Sequence, residues 1–104
     1  APPRNSSRDF ADTMGRLYYF RGDHADLARK LSAQFREEVR QRLRLPQGEW
    51  DNRTLAEIAR RSGIGEEELH HANRLMNFYA TAELASEQQL LTLNKTLDRL
   101  RHKL

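Results

Sequence analysis

The sequence predicts an all-α protein, a compact bundle of about five helices, on two observations. Leucine occurs fifteen times, whereas valine and isoleucine, which strands prefer, together occur three times. The 104 residues, 38% of them hydrophobic and 32% charged, are enough for one domain with a small core. We therefore expect residues 1–5 to be a flexible lead-in and residues 6–104 to be a single helical domain.

The first helix is expected to begin at Ser6 or Ser7, whose hydroxyl groups can cap it, and to end near Arg21. Gly22 then predicts a turn because glycine readily adopts positive φ. Asp23 can accept backbone N–H bonds at the start of the next helix. The bundle is thus expected to begin with a helical hairpin, with its hinge at these two residues.

The middle of the chain predicts two further helices. The second is expected from about His24 to Leu45, because Pro46 disfavours helical backbone in the residue before it. The third is expected to open at Thr54, since Thr54 and Glu57 have the spacing of a capping box.

The last two helices have the clearest start signals. The fourth is expected to begin at Glu66, soon after Gly63, and the fifth after Ser86, which forms a capping-box pattern with Gln89. Trp50, in the connection before the third helix, is expected in the core. The last helix carries an apolar stripe at steps of three and four: Leu90, Leu93, Leu97, Leu100 and Leu104.

A corner between the third and fourth helices resembles a helix-turn-helix. Its spacing is carried by Ala59, Gly63, Ile64, Leu69 and Ala72. Ser62 departs from the pattern, because an apolar residue is usual there. The second helix of the corner begins with three glutamates, at residues 66–68, which DNA phosphates would repel. We therefore expect a structural corner, and nucleic acid is disfavoured as a partner.

The positive charge lies elsewhere and marks a candidate protein contact. The net charge is +3, and four arginines share one side of the expected second helix. The aromatic run at residues 18–20 cannot face one core. The alternative is a solvated face, partly neutralised by Glu37 and Glu38. The candidate contact residues are Tyr19, His24, Arg29, Arg36, Arg40 and Arg44.

No pattern predicts catalysis or a cofactor. The chain has no cysteine, and its four histidines lack metal-ligand spacing, since His70 and His71 point about 100° apart on a helix. Nucleophile, phosphate-loop and HExxH patterns do not occur. We expect no enzyme, no cofactor, no metal site and no membrane-spanning segment within these residues.

Two stretches carry a resemblance to a known family. Residues 15–31, Gly-Arg-Leu-Tyr-Tyr-Phe-Arg-Gly-Asp-His-Ala-Asp-Leu-Ala-Arg-Lys-Leu, and the helix around residues 35–45 resemble the C-terminal region of an uncharacterised bacterial membrane-protein family. Members of that family have membrane segments and an amidotransferase-like domain, and are often encoded beside MoxR-type AAA+ ATPases. The resemblance brings no catalytic residue to this chain.

The resemblance implies a domain on the cytoplasmic side of the bacterial inner membrane, attached through segments outside this sequence. The chain begins with Ala1 rather than Met, so we expect it to be processed or cut from a longer membrane protein. The function expected is that of a non-enzymatic protein-interaction module. Its partner would be the rest of its own chain or a MoxR-type AAA+ ATPase. A helix-turn-helix DNA-binding domain is the alternative.

Overall fold

Four helices make up the part of the protein that the computed structural model describes, residues 21–104. They are α1 (Arg21–Leu43), α2 (Asn52–Ser62), α3 (Glu66–Thr81) and α4 (Glu87–Arg101), and no strand occurs in that range. The all-α prediction is confirmed there, and the expected count of about five is slightly too high. The first of the five, expected from Ser6 or Ser7 to near Arg21, lies outside the described residues.

The predicted hinge at Gly22 and Asp23 is wrong, because both residues are helical and belong to α1. A glycine inside a helix costs only about 1 kcal/mol relative to alanine, so it permits a turn without enforcing one. Packing decides against the turn, since Ala25 and Ala28 of the same segment are completely buried. The expected opening hairpin therefore has no turn at this position.

The end of α1 is a Schellman motif formed without glycine. Arg44 has φ 56°, in the left-handed region, and its N–H points to the carbonyl of Gln41 at 3.4 Å. The N–H of Leu45 donates to the carbonyl of Arg40 at 2.9 Å, and Leu45 is buried. The helix ends two residues earlier than expected because this motif turns the chain before Pro46 does.

The start of α2 lies one turn before the expected capping box. Asp51, and not Thr54, is the N-cap, and its carboxylate accepts the N–H of Thr54 at 2.8 Å. This bond lowers the pKa of Asp51 more than any other interaction does. An aspartate cap can satisfy the same orphan N–H groups as threonine, so the capping-box spacing alone did not identify the N-cap.

The two later helix starts are as predicted. Helix α3 begins at Glu66, after a turn in which Gly63 adopts φ 80°, a conformation that suits glycine. Helix α4 begins after Ser86, whose hydroxyl accepts the N–H of Gln89 at 3.0 Å while the Gln89 side chain accepts the N–H of Ser86 at 2.8 Å. The predicted capping box is thus confirmed.

The core forms where α1 packs against both α3 and α4, while α2 packs on α3. Four of the predicted α4 leucines are at most 1% exposed, and Leu104 is half-buried against the cluster. Trp50 is likewise only half-buried, and its ring meets Phe35 edge to face with centroids 6.3 Å apart. The tryptophan therefore lies at the rim of the core, beside α1. The completely or almost completely buried leucines are Leu90, Leu93, Leu97 and Leu100.

Candidate functional site

Three of the four candidate arginines contact other residues of the same protein. The arginine stripe is the set Arg29, Arg36, Arg40 and Arg44. Arg29 donates to the carbonyl of Ala82 at 3.4 Å, which joins α1 to the connection after α3. Arg40 Nε donates to the carboxylate of Glu37 at 2.9 Å on the exposed face, and this bond raises the pKa of Arg40. Arg44 is exposed at the end of α1. Arg29, Arg36 and Arg40 lie on α1 and Arg44 directly follows it, and each has a different environment.

His24 is buried and joins the beginning of α1 to the connection between α3 and α4. It is 7% exposed, and its Nδ1 lies 3.2 Å from the carbonyl oxygen of Ala85. A carbonyl only accepts hydrogen bonds, so Nδ1 carries the hydrogen. Its burial and this contact give His24 a structural role. Tyr19, the other non-arginine candidate, lies outside the described residues.

Arg36 differs from its neighbours because it reaches across to α3. Its Nη2 donates to the side-chain oxygens of Asn73 at 2.9 Å and Asn77 at 2.8 Å. Its guanidinium carbon lies 5.6 Å from the centroid of the Trp50 ring, within cation–π range. These contacts form one wall of an open cleft of about 560 Å³, here called the Arg36 cleft. The cleft is lined by Arg36, Gly48, Glu49, Trp50, Asn73, Asn77 and Ala80.

The charge of Arg36 is poorly compensated. Burial lowers the pKa of Arg36, and the more distant carboxylate of Glu49 opposes that change only in part. Within residues 21–104 no carboxylate forms a salt bridge with Arg36, and its Nε is buried without a hydrogen-bond acceptor. A cation held partly out of water by neutral amides retains attraction for an anion.

A second feature is an apolar surface formed by the last turn of α3 and the connection that follows it. Phe78 is 56% exposed and Leu84 is 61% exposed, although nearly all other large apolar side chains between residues 23 and 104 are buried or half-buried. Phe78 borders a groove of about 280 Å³ between α3 and α4, and Leu84 borders a hollow of about 360 Å³. Gln89 lines both, so the two hollows adjoin. We call the surface made by Leu75, Phe78, Leu84 and Gln89 the Leu84 face.

The helix-turn-helix-like corner is present as a structural turn. The N–H of Gly63 donates to the carbonyl of Ala59 at 2.9 Å, and the expected apolar residues at positions 64, 69 and 72 are buried. Its basic residues are engaged locally, since Arg60 bonds with Glu57 and Arg61 donates to the carbonyl of Leu43 at 2.6 Å. The first turn of α3 places two exposed glutamates and a half-buried one, at residues 66–68, where a reading helix would meet DNA.

The structure adds three residues that the sequence patterns did not select for a site: Trp50, Asn73 and Asn77. The two asparagines lie four apart on α3, a spacing that places both on one helix face. That spacing was the available signal, but nothing in the sequence paired it with Arg36, which lies about forty residues away. Trp50 had a stronger signal as a lone large aromatic beside a connector.

Two further observations concern residues 21–104. No group of three or more histidine, aspartate or glutamate side chains there is arranged to hold a metal ion. In the same range, no helix has both the length and the apolar character that a membrane span requires.

The fold and its surfaces define a small helical domain with a polar arginine cleft on one seam and an apolar face at one loop. A family model described as the DUF4350 C-terminal helical domain matches residues 11–104. The chain therefore belongs to this family, a domain of unknown function, in agreement with the resemblance to an uncharacterised family. Neither the curated proteins nor the solved structures include a match to the chain.

Proposed function

We propose that this domain is a non-enzymatic protein-interaction module that contacts the rest of its own protein through the Leu84 face. The observation that carries the proposal is the exposure of Phe78 and Leu84, at 56% and 61%. Large apolar side chains that are exposed on one surface and rimmed by polar groups are typical of protein contacts. Gln89 and Gln88 supply such a rim at the start of α4.

The position of the face supports the same protein as its occupant. His24 and Arg29, in the first turns of α1, bond to the carbonyls of Ala85 and Ala82, on either side of Leu84. The first turns of α1 therefore lie beside this face. Tethering converts such a contact into an intramolecular one, so even a small apolar surface can be occupied.

The wider setting of the proposal comes from the sequence resemblance. We propose that the domain belongs to a bacterial membrane protein, lies on the cytoplasmic side of the inner membrane and has a MoxR-type AAA+ ATPase as a second partner. The support is the similarity of residues 15–31 and 35–45 to that membrane-protein family. The description of the matched family model as a C-terminal domain is consistent with additional chain before it.

Site-specific photocrosslinking in the full-length protein tests the proposal. A photoreactive phenylalanine analogue replaces Leu84 in one variant and Ala56, an exposed residue on α2, in the control. We expect the probe at residue 84 to crosslink to parts of the same protein outside residues 1–104, and the probe at residue 56 to give no such product. Crosslinks from residue 84 to an ATPase alone would replace the occupant with a separate partner. Absence of any product from residue 84 beyond the control would overturn the proposal.

A DNA-binding helix-turn-helix is the second candidate, favoured by the geometry of the corner at Gly63. It predicts salt-dependent duplex binding that weakens when Arg60, Arg61 and Arg74 are changed to glutamine. The glutamates at residues 66–68 oppose it. A gel-shift measurement at low salt decides, because failure to retain any duplex there removes this candidate.

A further inference from the structure

We propose that the Arg36 cleft is a binding site for a carboxylate group. The cleft joins a half-buried guanidinium, the face of Trp50 and the amides of Asn73 and Asn77 in an open space of about 560 Å³. This inference is independent of the Leu84 face, because the two surfaces share no lining residue.

Two residues of the cleft, Arg36 and Asn77, keep N–H donors that the fold does not use. Nη2 of Arg36 donates to Asn73 and Asn77, and Nε is buried without an acceptor, which leaves Nη1 as the nitrogen that a ligand can reach. Because the Asn77 oxygen accepts from Arg36, its Nδ2 amide remains as a donor at the same rim. A guanidinium N–H and an amide N–H that line one cleft can each donate to one oxygen of a carboxylate.

The charges of the cleft favour a monoanion over a phosphate. Arg36 is the single cation among the lining residues, and Glu49 is a lining carboxylate. Glu49 repels any anion, but it repels a dianionic phosphate about twice as strongly as a carboxylate, and the phosphate finds no second cation among the lining residues. One carboxylate compensates the guanidinium charge that the amides leave open, and the Trp50 ring can pack against the carbon atoms that bear it. The carboxylate can come from a free organic acid or from an acidic side chain of a peptide, and both share this chemistry.

An NMR titration of the full chain with sodium acetate tests the site. Acetamide at equal concentration is the neutral control, and sodium chloride keeps the ionic strength constant. We expect acetate to shift the Trp50 indole and Arg36 side-chain resonances saturably, with a midpoint on the order of 10–100 mM, as suits so small a ligand. Acetamide should give no saturable shift. Equal responses to acetate and acetamide would overturn the proposal.

The variants separate ligand binding from folding. Arg36→Gln should abolish the saturable shift, whereas Arg40→Gln, which removes an arginine bonded to Glu37, should preserve it. Because Arg36 also joins α1 to α3, Ala80→Glu gives a second test that keeps the arginine: its carboxylate should compete from the cleft wall. We expect Ala80→Glu to raise the acetate midpoint at least fivefold over Ala80→Gln. An unchanged midpoint in Ala80→Glu, or a retained shift in folded Arg36→Gln, contradicts the site.

A last arm identifies the source of the carboxylate. The peptide acetyl-Gly-Glu-Gly-amide carries one acidic side chain and no free terminus. A midpoint several-fold lower than that of acetate identifies an acidic peptide side chain as the ligand, because the flanking peptide then contributes contacts. Equal midpoints identify a small organic acid. A peptide that gives no saturable shift while acetate does excludes the peptide source.

Discussion

Arg36 and Arg101 each join α1 to another helix by hydrogen bonds, and each places its guanidinium over an aromatic ring. The guanidinium carbon of Arg36 lies 5.6 Å from the ring centroid of Trp50, and that of Arg101 lies 5.4 Å from the ring centroid of Phe35. The difference is in the charge: Arg101 Nε donates to the carboxylate of Glu38 at 2.9 Å. At the contact between α1 and α4, which we call the α1–α4 seam, the charge of Arg101 is therefore balanced by a carboxylate of the fold itself.

At the seam between α1 and α3 the charge of Arg36 is not balanced in this way, because Arg36 donates only to the neutral amides of Asn73 and Asn77. A cation with a carboxylate partner has little to gain from another anion, whereas one with amide partners still has much of that energy available. Of the two arginines, the uncompensated one lines an open cleft. Arg101 is thus a structural arginine, whereas the charge of Arg36 has no carboxylate partner among residues 21–104.

The largest expected effect comes from removing the ring that the two seams share. Phe35 is 1% exposed, contacts Trp50 edge to face and lies beneath Arg101. Phe35→Ala should lower the free energy of unfolding by about 3–5 kcal/mol, because it leaves a cavity and removes both contacts. Urea unfolding followed by circular dichroism measures this. Phe78→Ala, at an exposed ring, is the control and should change stability by less than about 0.5 kcal/mol. Similar losses in both variants would contradict the buried role of Phe35.

Local signals predicted much of the fold and little of the site. The Ser86 capping box, the turn at Gly63 and the buried leucines of α4 follow from residue type and helical spacing within a few positions. The turn expected at Gly22 failed because the packing of Ala25 overrides a local preference of about 1 kcal/mol.

The candidate site depended on contacts that one sequence does not encode locally. Three of the four candidate arginines lie on α1, but their partners differ: Arg36 meets α3, Arg29 a backbone carbonyl and Arg40 a neighbouring carboxylate. Arg36 meets Asn73 and Asn77 across 37 and 41 residues, so its special environment appears only once α1 has packed on α3. Helical periodicity gives the face of a side chain and not the identity of its partner.

The second-largest loss of stability is expected from removing the ion pair between Glu38 and Arg101 at the α1–α4 seam. Glu38→Gln keeps the shape of the side chain but removes the charge that Arg101 meets. Because both side chains are part-exposed, we expect a loss of about 1–2 kcal/mol in the free energy of unfolding. Thermal and urea unfolding measure it, with Glu83→Gln, in an exposed connection, as the control. A Glu38→Gln variant as stable as wild type would mean that the two seams do not differ in charge compensation.

A smaller change in stability is expected from giving Arg36 a carboxylate partner on α3. Asn77→Asp places a carboxylate where an amide oxygen now accepts from Arg36 at 2.8 Å. We expect the free energy of unfolding to rise by about 0.5–1 kcal/mol, because a charge-assisted bond is stronger than a neutral one, although the bond is exposed. The same change in an Arg36→Gln background is the control and should not stabilise the domain. Equal effects in the two backgrounds would show that the gain does not come from Arg36.

The smallest effect is expected on the stability at acid pH, which should depend on the exposed Arg40–Glu37 pair and not on the contacts of Arg36 with α3. The hydrogen bond from Arg40 lowers the pKa of Glu37 more than any other interaction does, and Gln41 adds to it. Between the folded-state and unfolded-state pKa values of Glu37, the unfolded protein therefore binds more protons than the folded protein. The stabilisation that ionised Glu37 contributes is complete above its unfolded-state pKa, about 4.3, and is lost as the pH falls through its folded-state pKa.

Glu37→Gln should consequently make the fall of the thermal midpoint below about pH 4.5 shallower than in wild type. The amides beside Arg36 do not titrate, so Asn77→Gln should leave the acid slope unchanged even if it shifts the midpoint at every pH. Midpoints measured from pH 7 to pH 3 at fixed ionic strength compare the slopes. A slope altered by Asn77→Gln and not by Glu37→Gln would reverse the assignment of acid sensitivity between the two arginines. That result would require a titrating carboxylate to meet Arg36 in solution, and Glu49 is the one that lines its cleft.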